Sequence, residues 1–232
     1  MANLRVNPVS SLNDWASMEP CCERWESTRR RRSISGVAPN QSSSLTLLAR
    51  PEPAESVLIV GAGAFGLLHM LALRVAGVRE VAVAGRGAER LEWAGRLGAD
   101  RVIDTAAGDP AAEVARLNDG FGPDLVIECT GQVAGWSDAF ARVRRGGRVV
   151  FFGGCPAGTR LEIDTRRMHY DNLTLIAPFH FRPRDVRRAY ELLADGRLGA
   201  GRIISAHRPL ADIAGVFELL ERGTVLKCAV VP

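Results

Sequence analysis

The chain has 232 residues, 47% of them hydrophobic and 24% charged, with a formal net charge of +4 and a mean hydropathy near zero. That composition belongs to an ordinary globular protein with room for one core and part of another, and no apolar run reaches the roughly 20 residues that cross a bilayer. Nearly every basic residue is arginine, Lys227 being the single lysine. Beyond Ser56 the arginines alternate with acids, which argues against a nucleic-acid surface.

The five cysteines, Cys21, Cys22, Cys129, Cys155 and Cys228, contain no C-x-x-C pair, and their odd number gives no disulfide framework. Reduced thiols in a cytoplasmic protein are the simplest reading. No apolar h-region opens the chain, as a secretory signal would require. The run from Arg29 to Arg32 has no hydrophobic segment after it, so twin-arginine export is not expected.

Residues 1–55 are rich in Ser, Arg, Pro and Glu and lack sustained periodicity. They are expected to form a low-order extension, too poor in apolar surface to offset the entropy of ordering. From residue 57 onward, short β-branched runs alternate with helical stretches, the pattern of βαβ units in a parallel sheet. The predicted elements are strand 57–60, helix 64–76 stopped by Gly77, strand 80–84 and helix 89–97 stopped by Gly98. Strand 101–103, helix 110–117, strand 124–128, helix 133–142 and strand 148–152 follow. Strand 173–177 and helix 185–194 complete the alternation, and an amphipathic helix over 210–221 and a strand over 225–231 end the chain. The expected fold is α/β, a doubly wound parallel sheet of the Rossmann type over 56–200, followed by a C-terminal helix–strand segment over 201–232.

Between the first strand and helix stands Gly61-Ala62-Gly63-Ala64-Phe65-Gly66, a G-x-G-x-x-G. Alone it is weak, because Gly- and Ala-rich chains produce it by chance. Its position after a buried strand and before a helix gives it meaning. Gly61 permits the tight turn, Gly63 admits a pyrophosphate close to the backbone, and Gly66 lets the helix pack on the strand. The helix N-terminus offers amides and partial positive charge to the anion. About 20 residues on, an NAD-binding unit carries an acid for the ribose hydroxyls. Here that position is Gly85, followed by Arg86. The missing carboxylate removes repulsion toward a 2′-phosphate, and Arg86 can pair with one, so the sequence favours NADP over NAD.

Taken together, residues 57–66, Glu89-Arg90-Leu91 through Asp100, Val126 to Gly131, Gly146 to Val150 and Leu226-Lys227 to Pro232 resemble the C-terminal portion of zinc-type medium-chain alcohol dehydrogenases, in the sorbitol and threonine dehydrogenase branch. The resemblance covers most of 56–232. It implies that Ala64, Phe65 and Gly66 form the pyrophosphate turn and that Arg90 reaches the adenosine ribose. It also places Cys129, Thr130 and Gly131 where the fourth strand meets the cofactor, and Phe152 and Gly153 beside the nicotinamide. The carbonyl of Pro178 and the N–H of His180 would hold the carboxamide, and Lys227 would pair with the pyrophosphate. Ala177-Pro178 departs from the family's usual Gly-Ser, and proline removes a donor there.

The resemblance also implies an N-terminal catalytic domain with zinc ligands, which residues 1–55 do not resemble. Cys21-Cys22 has the wrong spacing and no nearby histidine for a zinc site. No metal site and no catalytic residue is therefore assigned, and the chain reads as truncated or frameshifted upstream of residue 57. Three functions remain open: a dehydrogenase by descent, completed by a separate catalytic half; a non-catalytic dinucleotide-binding module; and a relic fragment. The expected partners are a nicotinamide dinucleotide and a second copy paired through the edge strand near Leu173–Ala177, with no nucleic acid and no membrane.

Overall fold

The computed structural model describes residues 49–232. The expected low-order stretch before residue 49 lies outside the described residues. Residues 49–55 are tied to the fold: Ala49 is buried in the core, Arg79 N donates to Pro53 O at 2.8 Å, and Arg148 reaches Glu55 at 2.7 Å. Order thus begins before Ser56, because backbone and charged groups of this short stretch find partners on the sheet's edge.

β1 (Ser56–Val60), β2 (Glu80–Gly85), β3 (Arg101–Asp104), β4 (Leu125–Glu128), β5 (Arg148–Phe151) and β6 (Thr174–Ile176) form one sheet in the order β3-β2-β1-β4-β5-β6. All neighbours are parallel. Every residue of β1 is buried, as a central strand covered on both faces requires. Helices α1 (Ala64–Val75) and α2 (Ala88–Leu97) cover one face, and α3 (Pro110–Ala115) and α4 (Val133–Arg142) the other. Alternating strand residues serve the two cores: Val57 and Ile59 pack with Leu67, Met70 and Leu91, while Leu58 and Val60 pack with Val114, Ala139 and Val143. Gly98 ends α2 with φ of 104°, a left-handed cap that a side chain would strain.

The sheet's N-terminal edge is held by polar side chains. Asp124 accepts from Ser56 N at 2.8 Å and from Arg144 Nε at 2.6 Å. Burial pushes the Glu80 carboxyl up, but bonds from the Ser56 hydroxyl, the Asn118 amide and Arg101 outweigh it and hold it below its ordinary value.

Boundary differences are small where periodicity is strong. α5 (Thr165–Tyr170) has no apolar stripe to announce it; its signal is the cap, Asp164 accepting from Arg167 N at 3.1 Å. α6 (Pro183–Ala194) begins at its proline, two residues before the expected start. The helix expected over 210–221 divides into a 3-10 turn, Leu210–Asp212, and α7 (Ile213–Glu221). β7 (Ala206–Pro209), polar and partly exposed, lacks strand periodicity and forms by pairing in parallel with β8 (Cys228–Val231). β8 shortens to Cys228–Val231 because its partner offers only four residues. Ile203 and Leu226 anchor this C-terminal segment in the α1–α2 core. Leu210, Phe217 and Val231 remain exposed.

Candidate functional site

The parallel register brings three strand ends together: Val60 pairs with Ala84 and with Glu128, so Gly61, Gly85 and Cys129 lie side by side at the C-terminal edge. In open α/β sheets this is where ligands bind. Gly61 adopts φ of 116°, and its N–H donates to Ala84 O at 2.8 Å. A Cβ there would stand 3.0 Å from Thr130 Cγ2, and one on Gly66 would run into the carbonyl oxygen of Gly61. Both glycines are required by the protein's own packing. Gly63 is not: it has an ordinary extended backbone, and a Cβ would meet nothing within 4 Å. The space beside it is open to a ligand.

α1 starts at Gly63 with no side-chain cap and no acid in its first turn. Its first amides lack intrahelical acceptors, and its dipole is uncompensated at that end. An oxyanion fits there.

From this loop a cleft of about 480 Å³ extends past Gly85 and Arg86, at the end of β2, to Arg90 on α2 and Thr105 after β3. Its other wall is Cys129, Thr130, Gln132 and the α4 residues Ala134, Gly135 and Asp138. Among the described residues neither Arg86 nor Arg90 has an acidic partner. A Cβ on Gly85 would lie 2.8 Å from Ala62 Cβ, so the glycine-rich loop itself excludes a side chain at the end of β2. Thr105 fixes that end by donating to Gly85 O from its amide at 2.8 Å and its hydroxyl at 3.1 Å. Arg90 rests against the turn after α7, where a Cβ on Gly223 would come within 3.0 Å of its Nη2.

Glu128, fully buried at the end of β4, shapes the turn opposite the loop. Its Oε1 accepts from the amide of Thr130 at 2.6 Å and from the Thr130 hydroxyl, and its Oε2 accepts from Gly131 N at 3.3 Å. Its backbone carbonyl accepts from both Phe152 N and Gly153 N at 3.0 Å, joining the β4 and β5 turns. Trp136 donates from Nε1 to Gly153 O at 2.8 Å and stacks on Phe151 at 4.1 Å. Burial, then the neighbouring charge of Glu128, push the Cys129 thiol well above its usual range. Cys129 is therefore a wall residue, not a thiolate nucleophile.

Beside the cleft, Phe152 meets Phe65 at 5.6 Å and the edge of His69 at 4.5 Å. Burial pushes the His69 pKa down to about 4, and its Nε2 is buried without a hydrogen-bond partner. His69 is thus neutral near pH 7.

Of the residues expected from sequence, Gly61, Gly63, Gly85, Arg86, Arg90, Cys129 and Thr130 line the one cleft. Ala64, Phe65 and Gly66 form the adjoining helix start, and Gly131, Phe152 and Gly153 form the turns held by Glu128. Pro178, His180 and Lys227 are not among the lining residues of that cleft. Sequence reasoning missed the roles of Thr105, Glu128, Asp138 and His69. A buried acid ending an apolar strand was the available signal for Glu128; the others carry no motif. Among the described residues no three His, Cys, Asp or Glu side chains come together to hold a metal ion. Among those residues, too, no helix is long and apolar enough to cross a membrane.

Residues 64–195 match the family of zinc-binding dehydrogenases. The chain is 29% identical over 233 residues to alcohol dehydrogenase 2 of Solanum tuberosum, covering 98% of this chain and 58% of that protein. That alignment reaches into residues 1–55, which composition sets apart. The fold matches alcohol dehydrogenase TADH from Thermus sp. ATN1 with a TM-score of 0.75 at 31% identity, over 81% of this chain and 54% of that one. It matches a zinc-binding dehydrogenase from Sinorhizobium meliloti 1021, bound to NADP, with the same TM-score at 29% identity, over 81% and 55%. The chain spans little more than half the length of these relatives.

Proposed function

Because the chain belongs to the zinc-binding dehydrogenase family, we propose that it holds a nicotinamide dinucleotide, NADP in preference to NAD, as the cofactor half of a medium-chain alcohol dehydrogenase. The observation that carries this reading is the cleft, with its uncapped helix start and the open space at Gly63. The pyrophosphate sits over the first turn of α1, and the 2′-phosphate of the adenosine ribose meets Arg86 with Arg90 nearby. Gly85 supports NADP twice: it provides no carboxylate to repel the phosphate, and Ala62 leaves no room for one. The nicotinamide end is assigned to the side of Phe152 and Gly153, next to the Cys129–Gly131 turn, with Pro178 and His180 taken to hold its carboxamide and Lys227 to pair with the pyrophosphate.

In this reading the chain binds and orients the dinucleotide, whose nicotinamide ring exchanges hydride with an alcohol carbon. The zinc that the family's name implies has no ligand set among the described residues, so they do not fit that metal. We place the chain in the sorbitol and threonine dehydrogenase branch, with residues 201–232 docking on a catalytic domain and β6 pairing with a second copy. A non-catalytic dinucleotide-binding module is the second reading, supported by the same lack of ligands.

Titration of the purified chain with NADPH and NADH, followed by binding and by thermal shift, tests the proposal. Saturable binding with NADPH the tighter ligand is expected. Tighter NADH binding overturns the NADP assignment alone, and a folded sample that binds neither overturns the cofactor reading.

A further inference from the structure

Among the described residues Asp138 is the one acid lining the cleft, and it stands in a site otherwise suited to anions. It lies on α4, one turn beyond Ala134 and Gly135 on the same wall. Its Oδ2 is 3.4 Å from Arg142 Nη2, a pair that orients the carboxylate. Among the described residues Oδ1 has no partner. A carboxylate beside a phosphate costs affinity, so the part of a dinucleotide that faces Asp138 must donate hydrogen bonds.

The dinucleotide's course is set by the loop and by β2. With the pyrophosphate at α1 and the adenosine ribose at Gly85-Arg86, the base extends toward the β3 turn and α4. There the lining includes Thr105, Ala134 and Gly135, whose small side chains leave room for a base. The Thr105 hydroxyl donates to Gly85 O. Asp138 supplies a half-exposed carboxylate acceptor at this end. Adenine carries one hydrogen-bond donor group on its ring system when joined to ribose, the amine on C6.

Resting on the cofactor reading above, we propose that Asp138 determines base specificity by accepting a hydrogen bond from the C6 amine of the cofactor's adenine. A purine with a carbonyl at C6 turns lone pairs toward the carboxylate and is rejected. Because the carboxylate is half exposed, water can satisfy part of what a mismatched base leaves unpaired, and the discrimination is modest.

The test is a set of dissociation constants for NADPH, NADH and the hypoxanthine analogue of each, measured on the full chain, on Asp138→Asn and on Asp138→Ala. Unfolding midpoints serve as the check that the variants fold. The wild-type chain is expected to bind the adenine forms about tenfold tighter, or about 1.4 kcal/mol. Asp138→Ala is expected to bring the ratio near one, while Asp138→Asn, whose amide can accept from an amine or donate to a carbonyl, is expected to reduce the ratio below the wild-type value. Equal affinity for both bases in the wild-type chain overturns the proposal while leaving dinucleotide binding intact. A preference that persists unchanged in both variants also overturns it. Failure of all four dinucleotides to bind the folded wild-type chain removes the cofactor reading and this inference with it.

Discussion

Gly85 and Ala62 are in such close approach that a Cβ on the first would lie 2.8 Å from the Cβ of the second and 3.1 Å from its backbone nitrogen. The end of β2 and the phosphate loop therefore constrain each other. An acid placed at residue 85 to recruit the ribose hydroxyls of NAD must first displace the glycine-rich loop to which the pyrophosphate is assigned above. Gly85→Asp alone is expected to weaken binding of both NADH and NADPH. The double change with Ala62→Gly is expected to restore NADH binding and leave NADPH poor. Titrations of the two variants check this, and tight NADH binding by Gly85→Asp alone would contradict it.

Among the described residues Arg86 has no acidic partner. Arg86→Ala is expected to weaken NADPH binding by about ten- to a hundredfold, in line with one lost charge-assisted hydrogen-bonded pair of about 1.5–3 kcal/mol. NADH affinity is expected to stay within about twofold. An equal loss for both cofactors would place Arg86 away from the 2′-phosphate.

Two of the loop glycines, Gly63 and Gly66, separate by experiment. Gly66→Ala forces a methyl into the Gly61 carbonyl and is expected to cost about 1–3 kcal/mol of stability, as overpacking does. Gly63→Ala has the space and the backbone angles for its methyl. It is expected to unfold within about 0.5 kcal/mol of wild type yet bind dinucleotide at least about tenfold more weakly. Denaturant unfolding and titration of the same two samples distinguish the outcomes.

Glu128 is buried with three donors on its carboxylate. Glu128→Gln turns an amide NH2 toward groups that themselves donate, leaving at least one part-buried N–H without its acceptor. A loss of about 1–3 kcal/mol is expected, together with weaker dinucleotide binding as the Thr130–Gly131 turn loosens. Retained stability in urea unfolding would show that the turn does not depend on this carboxylate.

His69 sets a pH dependence whose sign follows from its lowered pKa of about 4. Above the unfolded value of about 6.5 the imidazole is neutral in both states. Between pH 6.5 and 4 the unfolded chain takes up a proton that the folded one refuses. Stability therefore falls through that window by up to about 1.4 kcal/mol per pH unit from this group. Below the folded value the loss from His69 levels off. Glu80, held below its ordinary value, adds an acid-side loss at lower pH. His69→Leu is expected to flatten the profile between pH 6.5 and 4, measured by denaturant unfolding at each pH. An unchanged profile would assign the slope to other groups.

The sequence by itself determined the sheet, its helices and the phosphate loop. Continuous apolar runs such as Val57 to Val60 can be satisfied only between two helical layers, and G-x-G-x-x-G at a strand–helix junction has few other uses. These are local patterns, with periods of two and 3.6 residues, and need no knowledge of distant contacts. The expected helix 133–142 coincides with α4, and the strand order follows from right-handed crossovers. α5, β7 and the division at Ile213 lack such periodicity; a side-chain cap, a four-residue pairing and C-terminal packing decide them. The site divides in the same way. Gly61, Gly63, Gly85 and Arg86 were legible because a motif fixes their spacing. Asp138 and Thr105 became cleft walls, Glu128 became the organiser of a turn, and His69 became a buried neutral base only when the tertiary fold set their neighbours. Burial, proton affinity and close approach between residues far apart in sequence are properties of that three-dimensional packing, because each depends on which atoms replace water around the group.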